Sequence, residues 1–275
     1  MLSPRLLVLA AVIAGLLSCP AAAAPRVTVA GGGDPAPWIA LLNGLVHGAE
    51  LSTVALVIAT PAQAQARCGG AESCYDPETG TIVAADRAPR GYSVREMVAH
   101  EYGHHIAATQ RNDPWDSYDW GTKRWASYED VCASVAAGRL FPGDQGAHYG
   151  QNPGEAFADA YRILNGGAGP SPFDSSLAPD KTSLQLLRED IERPWRGNRT
   201  LVRRGVAPAR VRTNTELDGT FTATAPGRGL KVLDAGNGRV LARGRGRVRA
   251  RVCGQDAVTV VVSGRGRFRL RMQRP

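Results

Sequence analysis

The sequence predicts an α+β chain in two parts: a mostly helical domain with a small sheet over residues 25–195, then a small all-β sandwich or barrel over 196–275. Three observations carry this. Before Trp195, apolar residues recur at helical spacing in several segments, interrupted by short β-branched runs. Beyond Trp195 the period changes to two, with Gly-rich turns between short strands. Charge divides at the same place: residues 196–275 hold 19 Lys+Arg against 4 Asp+Glu, and residues 1–195 hold 14 against 21. The net charge of +8 thus conceals an acidic first part and a strongly basic second part, a split that suggests different partners for each.

Residues 1–24 read as a signal peptide. Arg5 supplies the positive start, 6–17 the apolar core and 21–24 the small-residue cleavage zone. The apolar run is too short to span a bilayer comfortably, and no later stretch is long enough. The expectation is a secreted, bacterial protein with no transmembrane span in the mature chain. Cys19 also resembles a lipoprotein box, although Leu17 and Pro20 fit that pattern poorly. Four cysteines remain, an even count that suggests disulfides in an exported chain. Cys68 and Cys74 flank a short Gly-containing loop. That leaves Cys132 with Cys253, a bridge that would tie the two parts together. No C-x-x-C spacing points to a cysteine metal site.

Along the first part, 37–47 reads as a short helix, with Trp38, Leu41, Leu42 and Leu45 at helical spacing. Residues 51–59 and 81–85 read as buried strands, the second after the turn-like 76–80 and positioned to line a cleft and pair with a bound peptide backbone. Residues 94–108 form a helix, since Ser93 and Glu96 make a capping box. A polar and aromatic connection follows over 112–125, then helices at 128–137, 155–164 and 182–192 separated by Gly- and Pro-rich loops. In the tail, six short strands are expected, at 221–224, 230–233, 240–242, 248–253, 258–262 and 267–272. The alternation Arg247-Val248-Arg249-Ala250-Arg251-Val252 places arginine on one face and apolar residues on the other.

The chemistry concentrates in the 94–108 helix. His100 and His104 are four apart, so both imidazoles lie on one helical face and can grip one metal ion. Glu101 is one step round, placed to act as a general base on a water. Gly103, a small residue between the ligands, would let another segment approach closely. Two histidines leave the site incomplete, because a catalytic zinc takes a third protein ligand and keeps one open position. A third histidine at position 110, the metzincin arrangement, is excluded by Gln110, and Ala107 stands where that pattern needs glycine. Carboxylates downstream remain: Glu155 foremost, with Asp116, Asp119, Glu129 and Asp130 as rivals. Glu155 and Asp159 share one helical face, so Glu155 can coordinate while Asp159 accepts a hydrogen bond from the far nitrogen of a ligand histidine.

The pairing of His100-Glu101-x-x-His104 with Glu155-x-Phe157-Ala158-Asp159-Ala160-Tyr161-Arg162 resembles the gluzincin zinc metallopeptidases. Within them it is most similar to the catalytic domain of anthrax lethal factor and the related secreted Pro-Pro endopeptidases. The resemblance implies a zincin-like metallopeptidase domain over 25–195, one catalytic Zn²⁺ and a peptide or protein substrate. It also implies a tyrosine before the glutamate helix that stabilises the transition state. Tyr149, six residues before Glu155 and one fewer than in the family, is the residue the resemblance implies for that role; His148, at the seventh position, is the reserve. The Arg-rich tail has no counterpart in the family. It suits anionic surfaces or wall polymers, so an inactive or merely zinc-binding module attached through the tail is the alternative function. Nucleic acid is not expected, since no aromatic interleaving accompanies the arginines.

Overall fold

The computed structural model describes residues 24–275. Cys19 and all but the last residue of the expected signal peptide lie outside the described residues.

The first part is a four-stranded sheet covered by helices. The elements run β1 (Arg26–Val29), α1 (Ala36–Gly44), β2 (Ala55–Ala59), α2 (Pro61–Arg67), β3 (Ser73–Asp76), β4 (Thr81–Ala85) and α3 (Val94–Thr109). Strand order is β1-β2-β4-β3. β1, β2 and β4 are parallel, joined by helix-bearing crossovers, whereas β3 runs antiparallel to β4 through the tight 76–80 turn. This corrects one expectation. The strand at 81–85 forms as read, but it lies inside the sheet, and β3 is the edge strand that faces the cleft. The segment around Cys68 and Cys74, read as a loop, instead contributes α2 and β3, tied together by a Cys68–Cys74 disulfide.

α3 is the central helix. Ser93 and Glu96 form the reciprocal capping box at its start. Its burial is not confined to a stripe: of the eleven positions from Met97 to Ala107 all but His100 are buried. Small helices α4 (Ser117–Trp120), α5 (Lys123–Tyr128) and α6 (Val131–Ala136) lead to α7 (Pro153–Leu164) and α8 (Lys181–Glu192). The single helix expected at 128–137 is broken by Asp130, which sits in the left-handed region at φ 51°.

α7 packs directly on α3 at Gly103. A Cβ there would stand 2.8 Å from the Ala158 Cα and 3.1 Å from its carbonyl oxygen. Asn152 caps α7, and Pro153 opens it with no amide to satisfy. Arg162, 1% exposed, braces the same contact: it pairs with Asp159 at 2.8 Å and reaches Glu96 at the start of α3 at 3.3 Å.

The tail has four long strands, not six short ones: β5 (Arg199–Asn214), β6 (Gly219–Asp234), β7 (Val240–Val252) and β8 (Ala257–Arg274), in the order β5-β8-β6-β7. The Gly-rich stretches at 225–229, 243–247 and 263–266, read as turns, are bulges and bends inside continuous strands, while 235–239 is a turn as expected. Core-facing positions shift from Phe221, Ala223 and Ala225 to Leu230 and Val232 across the 226–229 bulge, so the apolar face is kept. Asn214, the end of β5, pairs with Ala257 at the start of β8, whereas Thr222, near the start of β6, pairs with Gln273 at the far end of β8, yet four residues join β5 to β6. The antiparallel sheet therefore folds over on itself, and both halves share one core that includes Phe221, Val260 and Leu270.

The two parts are fastened at one junction. Cys132 of α6 is bonded to Cys253 in the β7–β8 turn. The Asp218 amide donates to Ser127 Oγ at 2.9 Å. Lys123 is sealed between Trp115 and Trp195 and donates to the Asp113 carbonyl at 2.7 Å.

Candidate metal centre

Three side chains converge where α3 crosses α7. His100 Nε2 lies 3.3 Å and His104 Nε2 3.5 Å from Glu155 Oε2. One ligand atom from each of the three lies within 4.8 Å of the others, and among the described residues this is the group able to hold a metal ion. Helical spacing sets the two histidines, and the absence of a side chain at Gly103 lets α7 come close enough to deliver Glu155.

The donor set fits a metal. Glu155 is 6% exposed and His104 5%, and His104 Nδ1 is buried without a hydrogen-bond partner. Burial works against the charged form of Glu155, but hydrogen bonds and charge from His100 and His104 hold its carboxyl well below the usual range. Burial likewise opposes protonation of His100, and the bond to Glu155 with the charge of Glu101 overcomes it, pushing the imidazole upward. His100, His104 and Glu155 would hold a metal ion with the histidines neutral and the carboxylate ionised.

Around this group, the other expected residues divide. The Tyr149 hydroxyl donates to Glu155 Oε2 at 3.0 Å, which aims it at the shared ligand position. His148 is turned elsewhere: its ring stacks on Phe141 at 3.8 Å and its Nδ1 lies 3.1 Å from Gln151 Oε1. Glu101 accepts from Ser73 Oγ of the edge strand at 2.7 Å, beside the histidines. Asp159 makes its hydrogen bonds with Arg162 and none with either ligand histidine, which corrects the expected support for an imidazole. Its charge still acts on His100 through space. Of the rival ligands, Asp116 caps α4 and Asp130 sits at the start of α6. Glu129 is half-buried beside Ser183, and that burial pushes its carboxyl up to about 7. Asp119 lines the cleft but stands outside the ligand group. His105, next to the second ligand, faces the opposite way and bonds with Tyr75 and the Glu50 carbonyl.

Sequence reasoning missed Ser73 and Gln145. Gln145 Nε2 donates to Glu155 Oε1 at 2.8 Å, holding the carboxylate oxygen that does not face the histidines. Nothing local marks it, since it sits in a Gly-rich loop. Ser73 had a readable signal: the 76–80 turn before β4 implies a preceding antiparallel partner.

The cleft extends on both sides of the group. A hollow of about 410 Å³ beside His100 is walled by Pro89, Tyr92, Met97, Pro172 and Phe173. One of about 370 Å³ on the other side is polar, with Tyr118, Asp119 and Gln145. Ala71 and Ser73, at the start of the edge strand, border both. Among the described residues no helix is long and apolar enough to cross a membrane. No family model, curated protein or solved structure matches the chain.

Proposed function

We infer that the chain is an exported zinc-dependent endopeptidase with a zincin-like catalytic domain, in which Glu101 is the general base. The carrying observation is the convergence of His100, His104 and Glu155, with Glu101 held beside them by Ser73. Two imidazoles and one carboxylate are a donor set suited to catalytic zinc, which leaves one position open. A bound zinc ion would supply Lewis acidity and lower the pKa of a water toward about 7.

The chain's own residues do the rest. β3 offers an unpaired strand edge along the cleft, on which an extended peptide can lie as an added strand. Glu101 takes the proton of the attacking water and returns it to the departing amine nitrogen. The Tyr149 hydroxyl donates to the oxygen that gains negative charge. Burial, with the charge of Glu155, raises the Tyr149 pKa, so the phenol keeps the proton it donates. Gln145 and the α3–α7 contact fix Glu155 while this happens. The two disulfides agree with an oxidising compartment. An intact Glu101 and a Tyr149 hydroxyl bonded to Glu155 favour an enzyme over an inactive binding module.

The test is cleavage of a peptide library by zinc-loaded protein, with Glu101→Gln as control. The variant should retain one zinc per chain and lose roughly 10²–10⁴ in kcat. A variant that binds zinc and cleaves at the wild-type rate would remove Glu101 from the role. Failure of the wild-type chain to bind zinc would remove the reading altogether.

A further inference from the structure

The tail carries a face of arginines that the first part does not neutralise. On β7, Arg247, Arg249 and Arg251 all point outward, two residues apart, and all are exposed. On the same side of the sheet β8 presents Arg267, Arg269 and Arg271, also exposed. Register fixes their neighbours. Arg247 and Arg271 flank Thr224 in one cross-strand row, and Arg249 and Gln273 flank Thr222 in the next. Arg269 stands directly opposite Arg204 of β5. Like charges directly opposed destabilise a sheet, so this arrangement has a cost in the free protein.

Among the described residues no acidic side chain pairs with this face; Arg251, at its margin, lies 6.0 Å from the Trp115 ring centre. Among the described residues the one ion pair made by a basic residue of the tail joins Arg274 to Glu216, away from this face. The four acids of the tail lie in connections or at a strand end: Glu216 and Asp218 between β5 and β6, Asp234 at the end of β6, and Asp256 before β8. No Trp or Tyr occurs beyond residue 195, and Phe221 and Phe268 are both buried. Val202 and Val206 are the exposed apolar residues at the β5 edge of the face. Apart from Trp115 of the first part, which lies against Arg251 and stacks on Trp120, the face offers no rings for stacking on successive bases and no row of aromatic anchors for a membrane interface.

We propose that this arginine face of the β5–β8 sheet docks a linear, phosphate-bearing polymer recognised by charge and guanidinium geometry rather than by bases or lipid tails. Alternate residues of a strand repeat every ~6.8 Å and neighbouring strands lie ~4.8 Å apart, so the arginines form a grid rather than a point cluster. Arg247 and Arg271 stand two strands, about 9.6 Å, apart, and their long side chains can converge on one group. Phosphate presents acceptor oxygens in more than one plane and accepts the guanidinium fork in bidentate fashion. The surface carries arginine almost throughout; Lys231 is the single lysine beyond residue 195. The proposal is independent of the metal centre.

The experiment measures binding of long-chain inorganic polyphosphate to the full chain by calorimetry at 50 and 200 mM salt. The variant R247Q/R249Q/R271Q should bind at least tenfold more weakly and show a shallower salt dependence. R210Q/R212Q/R243Q, on the other half of the folded sheet, should stay within threefold of wild type. Circular dichroism checks that each variant folds. If the glutamine triple does not, R247K/R249K/R271K keeps the charge and removes the fork, and should bind at least threefold more weakly. Equal weakening by the two glutamine triples would overturn the proposal, because any positive charge would then serve. So would tighter binding of charge-matched polyglutamate, single-stranded oligonucleotide or phosphatidylserine vesicles. Glu101→Gln should bind polyphosphate as wild type does, whatever becomes of its peptidase activity.

Discussion

The two parts of the molecule handle charge in opposite ways. The helical part turns titratable groups inward: His104, Glu101, Glu155, Asp159 and Arg162 are all buried, and most meet an opposite charge or a hydrogen-bond partner. The tail turns its arginines outward, in rows, without acids between them. Burying charge is costly unless it is paired, so an inward cluster persists only where geometry holds each group to a partner. Exposed arginines pay little desolvation but repel one another, which suits a partner that brings the missing charge. The first arrangement suits chemistry at a point and the second suits contact over an area.

The sharpest way to break this contrast is at the point. Tyr149→Phe removes one hydroxyl aimed at Glu155 Oε2 and should leave the zinc content unchanged. Loss of such a donor costs about 10²–10³ in kcat, with little change in KM. Steady-state kinetics on the best peptide from the library gives the answer. An unaltered kcat would make Tyr149 a cleft wall and leave the oxyanion without a side-chain donor from this loop.

The second test asks whether the parts depend on each other. Cys132 and Cys253 are 121 residues apart and join α6 to the β7–β8 turn. Replacing both with serine releases that constraint on the unfolded chain and should lower stability by about 2–4 kcal/mol, read from urea unfolding. Two separated transitions would mean that the junction, held otherwise by Ser127 and the Lys123 cluster, cannot couple the parts alone. A single unchanged transition would mean that the disulfide adds nothing to the coupling.

The third concerns the close approach that builds the site. Gly103→Ala puts a methyl 2.8 Å from the Ala158 backbone, which neither helix can accommodate by a side-chain rotation. Overpacking of this kind costs about 1–3 kcal/mol. Alanine also favours an isolated helix by about 1 kcal/mol over glycine, so a net loss of stability signals the packing contact. Zinc affinity should fall with stability, because Glu155 rides on the displaced helix. A stabilised variant with unchanged affinity would show that α7 need not approach so closely.

How much of this could be read from sequence follows the range of each interaction. His100, Glu101 and His104 lie within one helical turn and announce themselves, and the capping box at Ser93 fixes the helix that carries them. Glu155 was legible because it shares a helical face with Asp159, four residues on, in a segment with few other charges. Asp159 was legible as a member of the right face but not in its partner: Arg162 lies one turn further along the same helix and captures it. Ser73 and Gln145 reach the site from a strand edge and a loop, through contacts of 28 and 10 residues in sequence that no local period encodes. In the tail, glycine runs signal a break in regular strand but do not distinguish a turn from a bulge. Only the cross-strand partners of Ala225 and Gly229 do that.

The smallest expected effect lies where the two charge regimes meet. Lys123 is 1% exposed, between two tryptophans of the first part and beside Asp218 of the tail. Burial pulls its pKa down to about 8, against a weaker opposing pull from Asp218 and Asp113. Burial pushes Asp218 the other way, up to about 6. Each group therefore resists its charged form in the folded protein, with opposite consequences for pH. Between about 8 and 10.5 the unfolded chain holds the lysine proton more firmly than the folded one, so Lys123 makes stability rise with pH there. Between 3.8 and about 6 the folded chain holds the Asp218 proton more firmly, so stability falls as pH rises through that window. Lys123→Met keeps the bulk between the tryptophans and removes the titration. The stability difference between wild type and variant should then shift in favour of wild type by up to about 1.4 kcal/mol per pH unit above pH 8, measured as urea midpoints at pH 7, 8, 9 and 10. A difference that stays flat across those values would mean that the junction opens enough to hydrate Lys123, and the boundary between the inward and outward charge regimes would have to be drawn elsewhere.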